Sequence, residues 1–136
     1  AKHLGWLNAT LDKKDRVRSE LYDKDDPYNK MPDLNGCDYI VSMWHNAGMI
    51  NRGGMATAPL TWPDIDAFSR FNYVNSFEAL MIIEMSRSFV SGLNMKNESD
   101  RAPYTFTYTE EDWNARSRSI DNQFRKADSD IKNAAR

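Results

Sequence analysis

RGGMATAPLTWPDIDAF, Arg52 to Phe68, sets a Gly-Gly loop and an apolar run with two prolines directly before a helix start. Thr61 is a good N-cap, and Asp64 stands three residues on, in the capping-box position. Pro63 falls in the first turn, where its missing N–H is no loss. Ile65, Phe68 and Phe71 supply the buried stripe of a short helix. Gly53 and Gly54 each tolerate positive φ, so the segment before the helix reads as a flexible connection. The stretch predicts a joint between two helices, with Leu60 and Trp62 as its hydrophobic anchors.

The periodicity on either side extends that pattern. Cys37, Ile40, Val41, Trp44, Ala47 and Gly48 follow i, i+3, i+4, i+7 spacing, which predicts a helix over 38–49 with Gly48 near its end. After the NYVNS break, Asn75 or Ser76 caps another helix. In it Phe77, Leu80, Met81, Ile83, Met85 and Phe89 cover most of the circumference, as in a buried helix. Ile65, Phe77 and Leu80 are therefore expected in the core, and Gly92 before Leu93 suits a C-terminal stop.

PYTFTY, 103–108, alternates aromatics with threonine. With no partner strand it reads as an extended segment lying on the core or on a neighbouring subunit. Thr109 and Asp112 form a second capping box. The helix they open carries Trp113, Ser117, Ile120, Phe124, Ala127, Ile131 and Ala134 at alternating steps of four and three, the seam of a heptad pattern. So thin a stripe needs another helix, from this chain or a partner.

At the N-terminus, Leu4, Leu7, Leu11, Val17 and Leu21 fall near helical spacing. Residues 3–22 thus read as a charged amphipathic helix, weakened in its first turns by Gly5. DKDDPYNKMPDLNG, 23–36, is loop chemistry. The expected fold is all-α, a small domain of about four to five helices. Residues 1–36 form a charged helix and loop, 37–97 a compact helical core, and 98–136 the extended segment plus a long C-terminal amphipathic helix.

A formal charge of −2 over 136 residues gives neither nucleic acid nor an anionic membrane an obvious attraction. No apolar run approaches the roughly 18 to 20 residues that span a bilayer. The N-terminal stretch lacks a signal peptide's apolar segment. Cys37, the single cysteine, fits a reducing compartment. Hydrolase, phosphate-loop and dinucleotide motifs are absent, and neither His3 nor His45 has metal-ligand spacing. Glu84 and Arg87 are spaced for a helix ion pair. Nothing in these patterns points to catalysis, a cofactor or a metal.

Residues 38–93 resemble the C-terminal region of tailed-bacteriophage tail assembly chaperones. The likeness lies in the aromatic helix DYIVSMWHNAGMI with Tyr39 and Trp44, and in the loop of Arg52, Gly53 and Gly54. It continues through the helix start with Pro59, Leu60, Trp62 and Ile65, and the apolar helix from Phe77 to Leu93. The resemblance implies a non-catalytic protein of the bacterial host's cytoplasm that needs no cofactor. Its partners would be the tape-measure protein's helical segments and tail-tube subunits, held soluble by apolar grooves that take amphipathic helices. The surface expected to bind them comprises Trp44, Met49, Leu60, Trp62 and Phe68, with the seam residues Trp113, Ile120, Phe124 and Ile131. The same seam suits a structural virion component or oligomeric scaffold that self-associates through its last helix. A phage-encoded inhibitor that blocks a host protein surface is a further reading.

Overall fold

The computed structural model describes residues 1–13 and 15–134. Its helices are α1 (Lys2–Asn8), α2 (Asp38–Asn46), α3 (Trp62–Ser69), α4 (Ser76–Leu93) and α5 (Glu110–Ala134). Single turns of 3₁₀ helix occur at Arg18–Leu21 and Pro27–Asn29, and the described residues contain no strand beyond isolated antiparallel bridges. The small all-α domain expected from the sequence is the one observed, with the long last helix preceded by an extended aromatic segment.

Helix α4 is the hub, with α1, α2 and α3 each packed on it. Its start is locked reciprocally. Asn75 accepts the Glu78 N–H at 2.9 Å, and the Glu78 carboxylate accepts the Asn75 N–H at 2.9 Å. At α3, the Asp64 carboxylate accepts from the Thr61 N–H at 2.7 Å and the Thr61 hydroxyl at 2.8 Å. The inner face of α4, with Ala79, Ile82, Ile83 and Phe89, meets Trp44 of α2, Leu60 of the joint and Ile65 of α3 in one apolar cluster. A buried hydroxyl completes it: Ser86 Oγ accepts the Leu60 N–H at 2.8 Å.

Contact between α1 and α4 is the most extensive of any helix pair. It is possible because glycine faces glycine. A Cβ on Gly5 would lie 2.1 Å from the Phe89 carbonyl oxygen, and one on Gly92 would lie 2.2 Å from the Lys2 carbonyl oxygen. Gly92 is therefore a close-approach residue inside α4, not the expected stop; the helix runs through it to Leu93 and is capped by Asn94. Gly5, read as a helix weakener, is the position that admits α4.

The helix expected over 3–22 is corrected to one of 2–8. Ala9 is extended, Thr10 bridges Val17 antiparallel, and the Arg18 N–H returns to the Ala9 carbonyl at 2.9 Å. The reason lies at Arg18, which is buried. Its guanidinium donates to the carbonyls of Met95 at 2.9 Å and Asn97 at 2.6 Å, just past the end of α4. It also lies over the Trp6 ring at 4.5 Å. A continuous helix would carry Arg18 away from those acceptors, whereas the hairpin-like return brings Leu11 and Arg18 inside together. The segment of Gly53 and Gly54 is a non-helical connection, and among the glycines positive φ is found at Gly36 and Gly48, the latter at +96° where the chain leaves α2.

A second, aromatic cluster lies between α1 and the 22–30 segment. Trp6 stacks on Tyr22 with centroids 6.0 Å apart, and Tyr28 meets both rings edge-on. His3 is buried beside Trp6, with its Nε2 at 2.9 Å from the Tyr28 carbonyl oxygen; burial pushes its pKa down, so the ring is held neutral.

In an open helix, Gly→Ala stabilises by about 1 kcal/mol. Here the sign should reverse: Gly92→Ala is expected to lower stability by about 3 kcal/mol, because the obstructing atoms are backbone. Urea denaturation of both forms measures the difference.

Candidate functional site

The residues expected on a binding surface divide sharply. Trp44 and Leu60 are core residues. The Trp44 indole N–H donates to the Met49 carbonyl at 3.0 Å, and the ring meets Phe89 edge-on at 5.4 Å. Both are removed from the candidate surface, because α2 and the joint pack against α4 and leave them almost no solvent. Met49 and Phe68 are half-buried against that core. Trp62, Trp113, Ile120, Phe124 and Ile131 do reach solvent.

The correction also runs the other way. Phe77 and Leu80, expected in the core with Ile65, are 61% and 47% exposed, while Ile65 is buried. Helix α4 is apolar nearly all round, but α1, α2 and α3 cover only the face built from Ala79, Ile82, Ile83, Ser86 and Phe89. Its opposite stripe, Phe77, Leu80 and then the Glu84–Arg87 ion pair at 2.5 Å, faces out.

Trp62 at the first turn of α3 stands 56% exposed. Between α3 and the start of α4 runs a cleft of about 470 Å³, lined by Trp62, Ile65, Asp66, Val74 and Ala79 among others. Phe71 and Tyr73, in the α3–α4 turn, are almost fully exposed, so Phe71 does not join the buried stripe predicted for it. Single exposed apolar residues are ordinary, but several grouped around a cleft mark an interaction site.

A second apolar face lies along α5. That helix docks on the body through polar groups. Lys30 pairs with Asp112, Arg116 with the fully buried Asp26 at 2.8 Å, and Arg118 with Asp25 at 2.8 Å. Ser119 Oγ accepts the Asp23 N–H at 3.1 Å, and Asn122 donates to the Asp23 carboxylate at 2.7 Å. Arg116 also lies over the rings of Tyr28 and Tyr22, at 4.1 and 5.2 Å. The buried residues of α5 are Asp112, Ala115 and Ser119. At about 100° per residue they sit roughly a third of a turn from the heptad seam. The seam is therefore left uncovered, with Phe124 and Ile131 about 70% exposed (71% and 68%).

Sequence reading missed this docking. The heptad pattern marks only the apolar seam, whereas Arg116 and Arg118 beside it are answered by the aspartates of DKDD, 23–26. The matching blocks of opposite sign were the available signal.

Among the described residues no group of three or more His, Cys, Asp or Glu side chains is placed to hold a metal ion. None of their helices is long and apolar enough to cross a membrane. Comparison with protein-family models, curated proteins and solved structures returns no match for this chain.

The Asp112 carboxyl is held below the usual carboxylate range, first by Lys30 and then by the Thr109 N–H at 3.0 Å. A depressed folded-state pKa contributes stability above the unfolded value, near 4, that is lost as pH falls through the folded value. The melting temperature of the wild type should therefore fall more steeply below pH ~4 than that of Asp112→Asn, which carries no titrating group there. Parallel thermal melts from pH 7 down to 2 make the comparison.

Proposed function

We propose that this chain is a non-catalytic phage tail assembly chaperone. In this reading it holds apolar helical segments of tape-measure and tail-tube proteins in solution, in the host cytoplasm, until they polymerise. The observation that carries the reading is the exposed apolar surface of α3 and α4: Trp62 stands at a cleft that Ile65 and Ala79 also line, and Phe77 and Leu80 stand exposed on the uncovered stripe of α4. These residues fall within 38–93, the region that resembles the family.

An amphipathic helix laid across the cleft would cover Trp62 and seat one side chain against Ile65 and Ala79, the helix-in-groove mode of recognition. Exposed aromatics suit the task, since tryptophan is over-represented among residues that dominate binding energy. Core residues Trp44 and Leu60 serve indirectly, by holding α2 and the joint against α4.

The direct test is co-expression with helical tape-measure fragments, scored by the soluble fraction of the fragment. Because Trp62 is more than half exposed, Trp62→Ala should change unfolding free energy by less than about 1 kcal/mol. Fragment affinity should fall by about 2 kcal/mol or more, measured by calorimetry. A large stability loss with unchanged capture would remove Trp62 from the binding surface.

A further inference from the structure

We propose that Asn35 is a self-modification site: the Gly36 backbone nitrogen attacks its side-chain amide, which is lost to leave a carboxylate in the turn before α2. This is independent of the client-binding role, which is placed on α3 and α4. The substrate is the chain itself, with water as co-reactant.

The turn from Leu34 to Cys37 supplies what the reaction needs. Asn35 is the one asparagine in the chain followed by glycine, whose nitrogen has no Cβ beside it to hinder attack. Asn35 and Gly36 both have positive φ, +47° and +86°, and the Cys37 N–H closes the turn on the Leu34 carbonyl at 2.9 Å. Both residues are exposed, and even a Cβ on Gly36 would meet nothing within 4 Å. The Asn35 N–H donates to the Asp33 carboxylate at 3.1 Å. By contrast, neither the Asn35 carboxamide nor the Gly36 N–H has a partner among the described residues. Nucleophile and electrophile are thus adjacent, solvated and free to turn toward each other.

The asparagines that compete on sequence are held. Asn75 precedes the small residue Ser76, but its Oδ1 accepts the Glu78 N–H at 2.9 Å as the cap of α4. Turning that carboxamide onto Ser76 would undo the cap. The Asn51 carboxamide donates to Asp64 at 3.2 Å and accepts from the Gly53 N–H at 2.8 Å.

In the first step the Gly36 N–H gives its proton to hydroxide, and the nitrogen lone pair forms a bond to Asn35 Cγ. The Cγ–Nδ2 bond breaks, and Nδ2 takes a proton from water and leaves as ammonia. Water then opens the resulting five-membered succinimide. Opening at Cγ gives aspartate; opening at the main-chain carbonyl gives isoaspartate. One water is consumed, one ammonia is released, and nothing is oxidised or reduced. The formal charge passes from −2 to −3. The new carboxylate lies just ahead of α2, near the positive end of its dipole, where the N-cap Cys37 makes no side-chain hydrogen bond. The fold therefore tolerates the change.

The test incubates the full chain in mildly alkaline solution at body temperature, followed by anion exchange and peptide mass mapping. A species with one more negative charge is expected, its mass changed by the exchange of NH₂ for OH. Fragmentation should place that change at residue 35, part of it as isoaspartate. Asn35→Gln should slow its appearance by about tenfold or more, because the longer side chain brings its carbonyl carbon less readily onto the Gly36 nitrogen. In urea, where the α4 cap is lost, Asn75 should become a second site. A native chain that keeps its mass at residue 35 overturns the proposal. So does a charge variant that forms as fast in Asn35→Gln, or native modification at Asn75 as early as at Asn35.

Discussion

The close passage of α1 over α4 is the constraint on which the rest of the fold depends. Two glycines, Gly5 and Gly92, let the backbones come so near that a methyl group on either would strike a carbonyl oxygen. With α1 seated there, Trp6 is carried to the end of α4 and Arg18 reaches the carbonyls of Met95 and Asn97. The Trp6 ring then backs Tyr22 and Tyr28, whose faces receive Arg116 of α5. A sequence of contacts thus runs from one glycine pair to the placement of the last helix.

The two halves of the molecule are joined by different physics. Trp44, Leu60, Ile65 and Phe89 close on α4 by burial of apolar surface, which is non-directional and weakly sensitive to pH or salt. Helix α5 is held mainly by ion pairs and hydrogen bonds to the aspartate-rich 23–26 segment. Such contacts specify orientation more than they add stability, particularly where the Arg118–Asp25 pair is solvent-exposed. Because polar groups of α5 face the body, its apolar residues Trp113, Ile120, Phe124 and Ile131 are left exposed. The chain therefore presents two unlike surfaces: a cleft-bearing aromatic side on α3 and α4, and a linear seam on α5.

The sequence was most informative where local chemistry decides the outcome. Caps at Thr61–Asp64 and Thr109–Asp112 involve neighbours three residues apart, so their hydrogen bonds were legible as letters and are found as bonds, while the structure chooses Asn75 over Ser76 as the cap of α4. The helical periods of 38–46 and 110–134 were legible for the same reason, as was the Glu84–Arg87 pair. It was least informative wherever burial depends on a distant segment. Val17 and Leu21 keep helical spacing with Leu11, yet Arg18 is drawn inward by acceptors nearly eighty positions away, and the helix ends at Asn8. Period alone could not say which side of α4 would be covered, so Phe77 and Leu80 looked like core and Leu60 like surface.

The sequence by itself determined that the chain is helical, where its helices begin, and that its last helix carries a heptad seam. Those properties follow from hydrogen bonds and side-chain spacing within a few residues. Only the tertiary structure decided which apolar residues remain outside, because exposure depends on which other segment arrives to cover them. Gly5 and Gly92 bring α1 onto one face of α4, and DKDD turns the polar face of α5 inward. What each leaves uncovered is the apolar surface that the chain presents to its surroundings.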